Sequence, residues 1–341
     1  MPMIRSFAAA CGMVVAYAAA GGRASAPSKE TYALAVIGDT PYGAAKLKEF
    51  PDLVALVNTD SSVDVVVHLG DIKAGTHSPC TDEYNATIRG LFDTFAQPVV
   101  YTPGDNEWTD CHADIKDNGL YTPTERLQAV RKAFFPVPGQ TLGRRKVQLQ
   151  TQASDSANSG YVENTMWVAS GVVFAALNIP GSDNDLEPWG TKLPANAGAY
   201  PSQSAERAAR ARANRAWIAR AFKTAEAQDA AGVVLMFQAD MWDKKEELSG
   251  YDALVIQIGT LAAAFKKPVL LLEGDSHYYR VDHPYAVTSP LHFVHPETPK
   301  AEKVTRLVVN GDQNRTEYVR VTIHPQGSDL FTFERVPLHA D

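Results

Sequence analysis

Four times in this chain a run of apolar, largely β-branched residues halts at the dipeptide Gly-Asp. Tyr32–Ile37 stops at Gly38-Asp39, Val63–Leu69 at Gly70-Asp71, Pro98–Tyr101 at Gly104-Asp105, and Pro268–Leu272 at Gly274-Asp275. Two further runs end in an amide: Met166–Leu177 contains strand material and stops at Asn178, and Gly232–Phe237 stops at Gln238. Near-continuous apolar runs of this length suit strands buried on both faces. Helical spacing occupies several of the gaps, at Ala44–Asn58, Asp82–Phe95 and Ser204–Ala227. In the last of these, Trp217, Ile218, Ala221 and Phe222 share one face, and Arg207, Arg210, Arg212 and Arg215 read as a solvated one. Arg306–Asn310, Tyr318–His324 and Leu330–Val336 read as strands of a late meander. Strands alternating with helices, then hairpins, predict a layered α/β sandwich.

One Gly-Asp is an ordinary turn. Four of them closing apolar runs point to a site, because ligands of open α/β sheets gather outside the carboxyl ends of strands. Carboxylates that converge there repel and raise each other's pKa, and a divalent cation resolves the conflict. The formal net charge of -7 argues against a nucleic-acid partner, which would meet a basic face. Neither a Gly-x-Ser-x-Gly elbow nor a phosphate-binding P-loop pattern occurs in the chain.

Arg5 precedes an apolar stretch, Phe7 to Ala20, followed by the small residues Ala24-Ser25-Ala26. This reads as a secretory signal peptide over residues 1–24, with one domain over 25–341. It predicts an exported protein, periplasmic or secreted. The stretch is too short for a stable membrane span, which needs ~20 apolar residues. Once Cys11 leaves with the signal, Cys80 and Cys111 remain as an even pair in an oxidising compartment. A disulfide between them is the expectation; the rival reading is a Cys/His metal site using His112 or His77.

The ordered series Asp39-Thr40-Pro41, Gly70-Asp71, Gly104-Asp105-Asn106-Glu107, Gln238 and Gly274-Asp275-Ser276-His277 resembles the calcineurin-like metallophosphoesterases, relatives of the purple acid phosphatases. Their pattern is Asp-x-His, Gly-Asp, Gly-Asn-His-Glu/Asp, a lone His, then Gly-His-x-His. The resemblance spans Tyr32 to Tyr279. It implies a layered α-β-β-α sandwich and a metal-dependent phosphoric ester hydrolase using metal-activated water on a small phosphorylated substrate. Matched position by position, it assigns a first metal to Asp39, Asp71 and His277. A second would take Asp71 as bridge with Asp105, Gln238 and Asp275, Asp240 competing with Gln238. Pro41 stands where the family has a histidine ligand. Asn106 replaces the acid–base histidine, which leaves His277 or His112 to protonate a leaving group. Asn178 and Arg280 are candidate substrate contacts, Asn178 alternatively holding its own loop and Arg280 matching a phosphate.

Oxygen ligands where the family has nitrogen ones favour Mg²⁺, Mn²⁺ or Ca²⁺, one ion or two, with Zn or Fe implied by the resemblance. The same losses also describe a scaffold that binds metal or a phosphorylated ligand without turnover. His68 reads as a core histidine, and Tyr42, Trp108, Trp242 and Tyr278 as packing or pocket wall.

Overall fold

The predicted strands assemble into two sheets. A computed structural model describes residues 31–75, 78–113, 121–189, 200–244, 248–312 and 314–339. The predicted signal segment, residues 1–24, lies outside them, as does His77. The first sheet holds β1 (Tyr32–Ile37), β2 (Val65–His68), β3 (Val99–Tyr101), β11 (Glu317–Ile323) and β12 (Phe331–Pro337), in the order β12-β11-β1-β2-β3. The second holds β4 (Gln150–Thr151), β5 (Thr165–Ala169), β6 (Val172–Ala176), β7 (Gly232–Met236), β8 (Val269–Glu273), β9 (Arg280–Asp282) and β10 (Val304–Val308). Its order is β4-β5-β6-β7-β8-β10-β9. β1, β2 and β3 run parallel to one another, as do β6, β7, β8 and β10.

The period of two along each strand divides its side chains between two cores. Leu34 and Val36 of β1 and Val65 and Val67 of β2 meet Phe174, Val234, Met236, Leu270 and Leu272 of the other sheet. Ala35 and Ile37 face outward, onto helix α1 (Gly43–Thr59) through Phe50, Leu53, Val54 and Val57, and onto α2 (Asp82–Phe92) through Ile88 and Phe92. On the far side, Val173, Leu235 and Leu271 carry Trp217, Ile218 and Ala221 of the long helix Tyr200–Ala227 and Val255 and Ile258 of the helix Asp252–Phe265. The layers are therefore α-β-β-α, as the resemblance implied. Each large apolar side chain taken fully out of water contributes roughly 1.5–3 kcal/mol.

Three details differ from the sequence reading. Met166–Leu177 is a hairpin, β5 to β6, turning at Ser170 and Gly171, both at positive φ. The late strands do not form one meander: β10 lies parallel to β8 in the second sheet, while β11 and β12 pair as a hairpin against β1 in the first. Apolar periodicity sets which residues are buried but not which sheet receives a strand. Finally, Arg210 is buried rather than solvated. It donates to Glu206 and to the side chain and carbonyl of Asn184, and stacks over Trp108. A paired guanidinium is tolerated there where a bare charge is not.

Candidate metal centre

Five parallel strands, β1, β2 and β3 of the first sheet and β7 and β8 of the second, deliver their carboxyl ends to one place. Asp39 follows β1, Asp71 follows β2, Asp105 follows β3, Gln238 follows β7 and Asp275 follows β8. The strand-end loops are bonded to each other across both sheets. The Asp39 amide donates to the Gly70 carbonyl (3.0 Å), that of Gly274 to Gln238 (2.8 Å), and that of Asp275 to Asp39 Oδ1 (2.9 Å). Asp39, Asp71 and Asp275 sit at φ 51°, 56° and 71°. Aspartate tolerates this left-handed conformation better than most residues, and here it aims the carboxylate out of the strand line into the crevice. Gly104 is required by contact: a Cβ there would lie 2.1 Å from Asp71 Oδ1.

These turns bring the acids together in two overlapping triads. Ligand atoms of Asp39, Asp71 and His277 lie within 4.8 Å of one another, and so do those of Asp71, Asp105 and Asp275. Asp71 belongs to both. Its Oδ2 accepts from the Tyr42 hydroxyl (2.8 Å) and Asn106 Nδ2 (2.7 Å), and its Oδ1 from the Asn106 amide (3.2 Å). Asn106 Nδ2 also reaches the Tyr42 hydroxyl (2.7 Å). Asp105 Oδ2 accepts from Ser182 Oγ (2.8 Å). Asp275 accepts from Gln238 Nε2 (2.9 Å) on one oxygen and the Asp240 amide (3.2 Å) on the other. Glu107, fully buried beneath them, takes the Tyr101 hydroxyl (2.6 Å) and the amides of Gly104 and Asp71 on Oε1.

The electrostatics follow from this crowding. Burial, then neighbouring carboxylates, hold Asp39, Asp71 and Asp275 well above the usual carboxylate range. Asp105 is pushed up to about 8 by burial and by the charge of Asp110. Burial raises Glu107 as well, and Lys73 opposes that rise. Lys73, itself buried, donates to the carbonyls of Gly75 (2.6 Å) and Asn106 (2.8 Å). Among the described residues, Asp39 Oδ2 and Asp105 Oδ1 are buried with no hydrogen-bond partner. Orphaned buried carboxylate oxygens that face other carboxylates fit a divalent cation, whose charge supplies what the hydrogen bonds do not.

The remaining predicted residues are placed in different ways. Gln238 borders the second triad and uses both ends of its amide, Nε2 on Asp275 and Oε1 on the Gly181 amide. Asp240 is committed elsewhere: buried Arg306 clamps its Oδ1, and Arg280 reaches its Oδ2 at 3.2 Å. Arg280 is thus linked to the acids through Asp240, whose amide donates to Asp275, and lines a neighbouring cavity of about 710 Å³ with Trp242 and Lys244. His112 is buried in the 3₁₀ turn Thr109–Ala113. Asn178 lies outside the acid cluster. It is fully buried, its Nδ2 donates to Glu163 (3.0 Å), and its carbonyl accepts from Asn214, which ties β6 to the long helix behind it. His68 is in the core. Its Nε2 contacts the Thr40 carbonyl (2.8 Å), its Nδ1 accepts from the Gly70 amide, and burial lowers it to about 4.

Ser182 was not foreseen. It opens a left-handed turn, Ser182 to Asp185, with φ between 51° and 63°, and bridges Asp105 to Asp110. Backbone of this kind costs of order 1–3 kcal/mol per residue. Arg210, Gly250 and Trp189 hold the turn through Asn184, Asp183 and Asp185.

A disulfide joins Cys80 to Cys111, with Cα atoms 5.9 Å apart. It ties the loop after β2 to the turn that carries Asp105 and Asn106. The crosslink spans 31 residues, for which loop-closure entropy gives about 3–4 kcal/mol. Cys80→Ser is therefore expected to lower stability by about that amount in chemical denaturation and to weaken metal binding with it. Unchanged metal affinity would show that the crosslink serves stability alone.

Residues 32–174 match the calcineurin-like phosphoesterase family, which supports the metallophosphoesterase superfamily for this chain. That family is one of metal-dependent phosphoester hydrolases and implies divalent metal ions. The match runs from β1 into β6 and so includes Asp39, Asp71 and Asp105, while Asp275 and His277 reach the same site from beyond it. Among solved structures, the chain is similar to GAP50, the anchor in the inner membrane complex of Plasmodium. The identity is 8%, with TM-score 0.41, over 91% of this chain and 90% of that one. No curated protein matches the chain. Among the described residues no helix is long and apolar enough to cross a membrane.

Proposed function

We propose that this chain is an exported, metal-dependent phosphoric ester hydrolase acting on a small phosphorylated substrate. One observation carries the reading: two ligand triads that share the single carboxylate Asp71. Asp39, Asp71 and His277 would hold one ion, and Asp71, Asp105 and Asp275 a second, with Gln238 steadying Asp275. Five of the six ligand places, Asp71 counted in each triad, are carboxylate oxygens, a set that favours Mg²⁺, Mn²⁺ or Ca²⁺. His277 leaves Zn or Fe as the family's alternative. A divalent ion held there supplies a Lewis acid for a phosphoryl oxygen and lowers the pKa of an attacking water.

The chain's own residues orient and neutralise. Asn106 and Tyr42 fix the rotamer of Asp71 by hydrogen bonds of 2.7 and 2.8 Å. Arg280, which reaches Asp240 at 3.2 Å and keeps its side chain 36% exposed, would be the guanidinium that meets a phosphate. Asn106 occupies the place of the family's acid–base histidine, and its amide cannot deliver a proton. The reaction here thus leans on charge neutralisation and orientation, with His277 or His112 as the remaining candidate for the acid that contributes ~10²–10⁴-fold. Export is supported by the amino-terminal pattern and by the disulfide.

The test is hydrolysis of p-nitrophenyl phosphate and bis(p-nitrophenyl) phosphate by mature protein, with Mg²⁺, Mn²⁺, Ca²⁺ or Zn²⁺ supplied singly. Turnover lost to chelation and restored by one ion is the expected result. Tight metal binding without turnover would establish the second reading, a binding scaffold, which is favoured by the full engagement of the Asn106 amide with Asp71 and Tyr42. Absence of both would overturn the metal centre.

A further inference from the structure

β10 ends as the other site strands do. Val309 and Asn310 lead into Gly311-Asp312, a fifth Gly-Asp that reads in the sequence as a hairpin turn. Asp312 has φ 51°, the left-handed conformation shared by Asp39, Asp71 and Asp275. Its loop is wired to the first triad at three points. The Asp312 amide donates to the Asp39 carbonyl (2.8 Å), the Gly311 amide to the His277 carbonyl (3.1 Å), and Asn314 Nδ2 to the same His277 carbonyl (2.6 Å). A Cβ on Gly311 would lie 2.2 Å from Asp39 Cβ, so only glycine permits this approach.

Between these anchors the His277 ring lies with an acid on either side. Its Nε2 is 3.7 Å from Asp39 Oδ1, and its Nδ1 is 4.0 Å from Asp312 Oδ2. The Tyr42 ring packs edge-on at 5.5 Å between centroids and blocks rotation on that side. His277 itself is held at φ 65°, a conformation that persists only where its surroundings over-determine it. A second acid, Asp243, bears on the ring electrostatically, but only Asp312 joins Asp39 at ion-pair distance among the described residues.

A histidine that ligates a metal through one nitrogen commonly donates its other N–H to a carboxylate, which fixes tautomer and ring orientation and strengthens the ligand. We propose that Asp312 is this outer carboxylate: a positioning residue that receives Nδ1–H of His277 and turns Nε2 toward Asp39 and the first metal place. The assignment rests on the metal-centre reading above. It extends the site to β10, the strand that lies between β8 and the edge strand β9.

Calorimetric titration of the full mature chain with Mn²⁺ and, separately, Zn²⁺ tests it. Asp312→Ala should weaken one metal site by about 10–100-fold, with Asp312→Asn intermediate. His277→Ala/Asp312→Ala should bind no more weakly than His277→Ala alone, since Asp312 acts through the imidazole. In Co²⁺-loaded wild type, proton NMR in water should show an exchangeable, hyperfine-shifted imidazole N–H that Asp312→Ala loses to solvent exchange. A purely structural role would lower thermal stability without moving that resonance. Wild-type affinity in Asp312→Ala, or a further loss in the double variant, overturns the assignment while leaving the metal centre standing. Failure of the wild type to bind any metal overturns the metal centre, and this assignment with it.

Discussion

Asp71→Ala is expected to strip metal from both places at once and to lower phosphoester hydrolysis by at least ~10³-fold, since metal polarisation of the phosphoryl group supplies several kcal/mol of transition-state stabilisation. Asp71 is the residue common to both triads, so its loss differs in kind from the loss of a ligand that serves one of them. Asp39→Ala removes a ligand from the first triad only, and Asp275→Ala from the second only. Metal content by plasma mass spectrometry should thus fall to near zero in Asp71→Ala and to an intermediate value in each of the others. The substitution also relieves crowding, because Asp71 is raised by burial and then by the charges of Asp105, Glu107, Asp39 and Asp275 around it. The metal-free variant should therefore be no less stable than the metal-free wild type, apart from the bonds lost to Tyr42 and Asn106. That separates a lost ligand from a lost fold. Full metal content in Asp71→Ala would overturn the shared-ligand arrangement.

What could be read from the sequence, and what could not, divides along the range of the interactions involved. Local chemistry was legible. An apolar run closed by Gly-Asp marks a strand end with its side chain turned outward, and Asp39, Asp71, Asp105 and Asp275 all lie in the acid cluster. The layered sandwich followed from strands too apolar to leave either face in water.

Long-range pairing was not legible. Asp312 carries the same dipeptide signal, yet its strand was assigned to a meander, because nothing within Val304–Val308 states that it will pair with β8 and not with β11. Asp240, the competitor of Gln238, is held by Arg306, 66 residues beyond it, whose buried charge needs that carboxylate. Asn178 likewise ended its strand in the expected position, but Glu163 and Asn164, just before β5, drew it into the core. Arg210 was misplaced for the same reason: its partner Asn184 lies in a left-handed turn that no helical periodicity announces.

The metal-free protein is expected to become less stable as pH rises from about 4 to 8, the reverse of the usual behaviour of carboxylate-rich folds. The sign follows from the direction of the shifts. A carboxyl whose folded pKa is raised binds protons more strongly folded than unfolded, so its contribution is complete below the unfolded pKa and is lost as pH climbs through the folded one. Asp105 is raised from 3.8 to about 8, first by burial and then by Asp110, and Asp39, Asp71 and Asp275 are raised in the same direction. At about 1.4 kcal/mol per pH unit, Asp105 alone accounts for a loss on the order of 5 kcal/mol across that window, comparable to the whole stability of a marginal domain. Asp60, held well below its usual range by Ser62, Tyr318 and Arg320 against the cost of burial, pulls the other way below about pH 4, and His68, lowered by burial from 6.5 to about 4, offsets part of the loss between those two values. Thermal unfolding of chelator-treated protein should accordingly show Tm falling by ~10 °C or more between pH 5 and pH 8. A divalent ion at 100 times its dissociation constant returns about 2.7 kcal/mol, and it does so most at the alkaline end, where the acids are ionised and ready to bind it. Metal should therefore flatten the curve from the high-pH side. A Tm that instead rises from pH 5 to pH 8 without metal, and ignores metal when it is added, would mean that these carboxylates are solvated and apart, and the convergence on which the proposed chemistry depends would be refuted.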